Sequence, residues 1–132
     1  MILGMGCDIV DIRRIEKVIK RHGEKFIKKV FSHAEINNNI VNTKQASYYA
    51  KRFAAKEAFV KALGLGFREG ISWNEISLLN NYFGKPYLEI SGSALQQMKK
   101  LTAMHGDAMP RIHVSLSDEF PYAQAVVIIE HI

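Results

Sequence analysis

The strongest chemical signal lies in the segment RFAAKEAFVKALGLG, where Glu57 precedes Lys61 by four positions. On a helix that spacing puts a carboxylate and an ammonium on one face, in the order that favours an ion pair. One reading is a solvated surface pair worth about 0.3–0.5 kcal/mol. The other is part of a phosphate-handling site, because Arg52, Lys56, Glu57 and Lys61 interrupt an Ala/Phe pattern that otherwise reads as core, and the glycine-rich GLGFREG follows. Asp8 shares the face of an alternating segment with Gly4 and Gly6, so a ligand or a second backbone can approach it without obstruction by side chains. Its other reading is a turn carboxylate. Asp8 and Glu57 are hard oxygen ligands of the kind magnesium takes, typically one or two carboxylates with substrate phosphates completing the shell. His113 accompanies Ser115 and Ser117 on the polar face of RIHVSLS, as a hydrogen-bonded surface histidine or as part of a site. GxSxG, HExxH and GxxxxGK[ST] are absent. GLGFREG follows a helix, whereas phosphate-cradling glycine loops precede one.

The elements that must position these residues follow from periodicity. The first nine residues alternate, Leu3, Met5, Cys7 and Ile9 against Gly4, Gly6 and Asp8, which predicts a half-buried strand ending at Asp8. Asp11 is a good N-cap for a helix whose Ile12, Ile15, Ile19 and Phe26 recur at helical spacing. Arg14, Lys17, Arg21, Lys25 and Lys28 collect on another side, and Gly23 is a break point. SHAE reads as a capping box from Ser32 to Glu35, and the Asn-rich stretch 37–42 as a loop. Residues 44–63 predict a long Ala-rich helix ending at Gly64. Trp73, Ile76, Leu78 and Leu79 suggest a strand, Asn80-Asn81 a turn, and Gly84-Lys85-Pro86 the entry to the strand PYLEI. Residues 92–104 predict a helix capped by Ser91 or Ser93. RIHVSLS reads as a half-buried strand and AQAVVIIE as a central one. The expected fold is α+β, with helices packed on a mainly antiparallel sheet in one domain spanning 1–132.

Composition bounds the class. A chain of 132 residues with 48% hydrophobic and 23% charged positions can bury a real core. The single Cys7 supports neither a disulfide framework nor a Cys-rich zinc site. No apolar run is long enough to span a membrane and the N-terminus lacks a basic signal-like region, so a soluble cytoplasmic protein is expected. A net charge of +5 favours an anionic partner: nucleic acid, a phosphorylated small molecule or an acidic protein.

Taken in order, GMGCDIVDIRRI, RFAAKEAFVKALGLG, FGKPY and HVSLSDEFPYAQAVVIIE resemble the holo-acyl-carrier-protein synthases, the short bacterial 4′-phosphopantetheinyl transferases. The likeness runs from Ile2 to Glu130 and is thin over residues 30–46 and 92–110. It implies magnesium-dependent transfer of the phosphopantetheine arm of coenzyme A to a serine of apo-acyl carrier protein, releasing adenosine 3′,5′-bisphosphate, in the service of fatty acid biosynthesis. It also implies a homotrimer with active sites at subunit interfaces, Asp8 and His113 being contributed opposite the helix of Glu57 and Lys61. Asp8 matches the family's GxDxxxxxR aspartate, and Glu57 and Lys61 its KExxxK pair. By that match Asp8 and Glu57 hold the metal, and Asp8, Glu57, Lys61 and His113 are the catalytic set. Arg52, Lys61, Gly64, Gly84, Lys85, Pro86 and His113 match positions that take coenzyme A. Arg14 matches a carrier-protein contact. The basic positions Arg21, Lys25 and Lys28 extend that surface at spacings that keep them on one side of a helix.

Two positions depart from the family pattern. Ser117-Asp118 stands where a Ser/Thr-His pair is usual, and Phe83 where asparagine usually precedes the GKP turn. The alternatives are the same transfer to another carrier domain, and a small basic nucleic-acid-binding module. The latter fits poorly, since the aromatic residues are not interleaved with the basic ones as a stacking platform requires.

Overall fold

The computed structural model describes residues 1–39, 45–106 and 108–132. Strand β1 (Ile2–Asp11) pairs antiparallel with β5 (Tyr122–Glu130), and β5 pairs antiparallel with β4 (Arg111–Glu119), giving the order β1-β5-β4. The apolar run AQAVVIIE is thus central, as its composition predicts. In register, Asp8 lies opposite Ala125 and Ala125 opposite Leu116. Helix α4 (Gln45–Leu63) lies against this sheet, burying Ala50, Ala54, Ala55, Ala58, Phe59 and Ala62. The rest of the Asn-rich loop, residues 40–42, and the expected helix start at 44 lie outside the described residues.

Leu3 packs partly against the core at a register shift between Ile2 and Gly4, but from Gly4 onward the face of β1 that meets the core is the opposite of the one expected. A Cβ added at Gly4 would stand 2.0 Å from the Ala62 carbonyl oxygen, and one at Gly6 1.9 Å from that of Ala58. The glycines therefore let the strand backbone lie directly on the alanine face of α4. Of the two approaches left open by the sequence, the second backbone is the one realised on this face. Met5 and Ile9 point the other way and remain 68% and 62% exposed. Asp8 is not at the strand's end, because β1 continues to Asp11.

The Asp11 carboxylate accepts from the Arg13 N–H and caps α1 (Ile12–His22). Gly23, at φ 57°, separates α1 from α2 (Glu24–Val30). Ser32 and Glu35 form the expected capping box of α3 (His33–Asn37). Trp73 belongs to a 3₁₀ turn, Trp73–Glu75, rather than to strand β2 (Ile76–Asn80), and its ring stacks with Phe67 and Phe53. Strand β2 pairs antiparallel with β3 (Pro86–Ile90) in a separate two-stranded sheet. Helix α5 (Gly92–Ala103) begins after Ser91, yet neither serine hydroxyl caps it. The Glu75 carboxylate accepts the Ala94 N–H instead. The architecture is α+β with antiparallel sheets, in agreement with the expected class.

Lys56 does not contribute to a phosphate site. Its ammonium is fully buried, 2.6 Å from Glu35 Oε1, and also donates to the Trp73 and Ile76 carbonyls. Glu35 Oε2 accepts the Leu78 N–H. This pair ties α3, α4 and β2 together, and burial pushes the Lys56 ammonium below its usual range against the pull of Glu35. A lysine enclosed in this way has no donor left to offer a ligand at the surface.

Candidate active site

The close packing of β1 on α4 brings Asp8 to Lys61. Lys61 Nζ donates to Asp8 Oδ1 at 2.9 Å and to the Cys7 carbonyl at 3.0 Å. The i,i+4 pair with Glu57 is not formed: Lys61 turns to the strand rather than along its own helix. Glu57 is half-buried beside them. Burial raises its carboxyl above the ordinary range, the Asp8 charge raises it further, and Lys61 and Arg14 pull it back. The hydrogen bond to Asp8 holds the Lys61 ammonium above its usual range. Asp8, Glu57, Lys61 and Arg14 thus form one electrostatic group.

The Asp8 charge disfavours ionisation of Glu57, and a divalent cation held between the two carboxylates would replace that repulsion by shared attraction. Among the described residues, no group of three or more His, Cys, Asp or Glu side chains could enclose a metal. Two protein carboxylates plus substrate phosphates match a magnesium shell better than a closed protein cage does.

The other expected residues form separate groups. Arg52 is nine residues before Lys61, half a turn around the helix, and faces the β2–β3 hairpin. Its guanidinium donates to the Asn80 side-chain oxygen at 3.3 Å and the Tyr48 carbonyl at 3.2 Å and lies over the Tyr48 ring. Arg52 is only 8% exposed, and its Nε has no acceptor among the described residues. Asn80 in turn donates to the Gly84 carbonyl at 3.0 Å, linking Arg52 to the Gly84-Lys85-Pro86 turn. That turn and Lys51, Asn80 and Asp118 line a 410 Å³ cavity. Gly64, at φ 80°, closes α4 near Lys61, with nothing within 4 Å of an added Cβ.

His113 stands on the face of the sheet opposite Asp8. Its Nε2 lies 2.8 Å from Glu130 Oε2, across to β5, and this partner holds the Glu130 carboxyl below the usual range. A single chain therefore does not unite the expected catalytic set: Asp8, Glu57 and Lys61 come together, and His113 does not join them. The pairing of Asp8 with Lys61 within one chain also corrects the expectation that Asp8 is supplied from opposite the Lys61 helix. Nor do Arg14, Arg21, Lys25 and Lys28 form one helical stripe, because Gly23 breaks the helix between Arg21 and Lys25. Arg14 and Arg21 remain on α1, while Lys28 pairs with Glu24 on α2.

Sequence patterning did not single out Asn80, Lys51 or Glu130. Asn80 read as a turn residue, and its bond to Arg52 spans 28 positions. Only the tertiary fold creates that contact.

The sequence profile of the 4′-phosphopantetheinyl transferase superfamily matches residues 4–121. The chain belongs to the 4′-phosphopantetheinyl transferase superfamily. Among members of this superfamily, it is 49% identical to the holo-[acyl-carrier-protein] synthase of Bartonella tribocorum over 130 residues, 98% of this chain and 96% of that one. The corresponding protein of Brucella ovis is 45% identical over the same shares. The crystal structure of the Neisseria meningitidis synthase superposes with a TM-score of 0.84 at 37% identity, covering 99% of this chain and 100% of that one. A Helicobacter pylori synthase solved in complex with coenzyme A gives 0.78 at 30% identity, covering 96% and 99%. The transferase fold therefore holds over the described residues of the two segments where the sequence motifs are thin, 30–39 with 45–46 and 92–106 with 108–110. No helix among the described residues is long and apolar enough to cross a membrane.

Proposed function

We propose that this transferase moves 4′-phosphopantetheine from coenzyme A to a serine hydroxyl of apo-acyl carrier protein, with magnesium, for fatty acid biosynthesis in the cytoplasm. The observation that carries the reading is the meeting of Asp8, Glu57 and Lys61 in a chain whose relatives are holo-[acyl-carrier-protein] synthases. The serine hydroxyl gives up its proton to water as its Oγ forms a bond to the phosphorus that bears pantetheine. The phosphoanhydride bond breaks, and adenosine 3′,5′-bisphosphate leaves with the bond's electrons. Asp8 and Glu57 would hold the magnesium ion, which when bound neutralises charge on the pyrophosphate. Lys61, already aimed at this point, supplies a mobile positive charge to a phosphate oxygen as charge builds on the leaving group. Arg52 and the Gly84-Lys85-Pro86 turn take the nucleotide end, where the buried guanidinium has only neutral acceptors among the described residues.

The domain, 1–132, works as a homotrimer in this reading. Supporting it, the outer face of the three-stranded sheet exposes Met5 and Ile9, while His113 and Arg52 lie on surfaces away from Asp8. A neighbouring copy on the open sheet face would cover the apolar side chains and bring His113 toward an adjacent site. Incubation with coenzyme A, magnesium and an apo-acyl carrier protein should add the mass of phosphopantetheine to the carrier's serine. An unmodified carrier under these conditions overturns the assignment, and a monomeric sedimentation mass overturns the trimer.

A further inference from the structure

A groove of 850 Å³ lies between α1 and the first turns of α4. Its charged residues are mostly matched: Lys20 sits 2.9 Å from Glu16, and Lys51 Nζ sits 3.4 Å from Asp118 Oδ2. Arg52 is the exception, with no carboxylate partner among the described residues and its buried Nε unsatisfied. Lys51 and Asp118 also line the 410 Å³ cavity at the Gly84-Lys85-Pro86 turn. The Lys51–Asp118 pair is therefore the wall shared by the two spaces, with Arg52 on one side and Lys85 on the other.

We infer that the Lys51–Asp118 pair is a specificity device for the nucleotide end of coenzyme A: Asp118 holds Lys51 in reserve and limits how much the 3′-phosphate adds to binding. This rests on the reading that Arg52 and the neighbouring turn receive that end.

The side chains of Lys51 and Asp118 are 31% and 46% exposed, so water screens the pair and an incoming phosphate dianion can displace the carboxylate without stranding a buried charge. A phosphate near Arg52 offers Lys51 two negative charges in place of one. It also meets repulsion from Asp118, which stays nearby at the end of β4. Asp118 thus subtracts from 3′-phosphate recognition twice, by occupying Lys51 and by repelling the ligand. A neutral residue here would do neither. Ser117-Asp118 is also where the chain departs from the Ser/Thr-His pair of the family pattern.

The test compares dissociation constants of coenzyme A and 3′-dephospho-coenzyme A by calorimetry for the full chain and three substitutions. Asp118→Asn should tighten coenzyme A about three- to five-fold and leave the dephospho form within two-fold, a size set by a partly exposed charge pair. In a Lys51→Met background most of that gain should vanish. Equal effects of Asp118→Asn on both ligands, no effect on either, or a full gain without Lys51 would overturn the inference. Arg52→Gln separates it from the underlying reading. Loss of the preference for the 3′-phosphate in that variant supports the nucleotide site whatever Asp118 does, and an unchanged preference removes the site and the inference together. Thermal unfolding of each variant checks that the changes do not come from a damaged fold.

Discussion

Gly6→Ala probes the contact on which the site depends. The added methyl would fall 1.9 Å from the Ala58 carbonyl oxygen, 2.7 Å from the Ala62 nitrogen and 2.9 Å from the Ala58 carbonyl carbon. All three are helix backbone atoms, so no side chain can swing away. Ordinary contact begins near 3.4 Å, so β1 and α4 must separate by roughly 1.5 Å along that line. The Asp8–Lys61 bond is 2.9 Å, and a displacement of that size takes it beyond hydrogen-bond reach. The expected loss of stability is about 1–3 kcal/mol, as for overpacked cores. Transfer activity should fall by about 100-fold, the cost of misplacing a reacting constellation by about an ångström. Urea titration followed by circular dichroism gives the first quantity, and carrier-protein modification by intact mass gives the second. Gly4→Ala is the control: its clash at Ala62 is as severe, but Gly4 is two positions farther from Asp8, so it should match the stability loss with a smaller loss of turnover. A Gly6→Ala chain with wild-type stability and rate would refute the claim that glycine-mediated contact sets the site.

Other expectations can be checked with similar variants. Burial and the Asp8 charge raise the folded-state affinity of Glu57 for a proton, so ionising it weakens the fold as pH rises from the unfolded carboxylate range through the raised folded value. Glu57→Gln should therefore be more stable than wild type near neutral pH, by on the order of 0.5 kcal/mol after solvent screening, with the difference vanishing in acid; equal urea midpoints at neutral pH would count against it. Magnesium should raise the wild-type midpoint and leave that of Glu57→Gln unchanged. Arg14→Glu with Arg21→Glu should raise the carrier protein's KM about ten-fold at low salt and flatten its salt dependence, whereas Lys25→Glu with Lys28→Glu, beyond the Gly23 break, should do less; kinetics at two ionic strengths decide. Met5→Lys with Ile9→Lys should yield folded monomers by sedimentation, and a persistent trimer would place its interface elsewhere.

Local signals in the sequence were legible because their physics is local. The Asp11 cap, the Ser32–Glu35 box, the helix break at Gly23 and the Ala-rich α4 each depend on residues within a turn or two, and the structure shows each of them. The direction of β1 toward the core was not legible in the same way. Alternation distinguishes two faces, and hydropathy alone favours burying Leu3, Met5, Cys7 and Ile9. The outcome is decided by α4, whose alanines allow a closer approach to glycine than to any larger residue, a preference visible only when strand and helix are considered as partners. The fate of Lys56 and Lys61 has the same origin. Both lie on α4, yet one meets Glu35 in the interior and the other meets Asp8 at the surface, through bonds spanning 21 and 53 positions.

The distribution of the functional groups follows from this packing. A helix with an alanine face on a three-stranded sheet leaves the outer sheet face uncovered, and every outward position of β1, β4 and β5 then has to suit water or another protein surface. Met5 and Ile9 suit water poorly, while His113 and Glu130 are paired there at 2.8 Å. On the far side of α4, Arg52 is buried without an anion among the described residues to balance it. An apolar face without a cover and an unbalanced guanidinium are each unfavourable for an isolated chain. In the proposed reading, copies meeting through the open sheet would cover the first, and an anionic ligand beside Arg52 would balance the second.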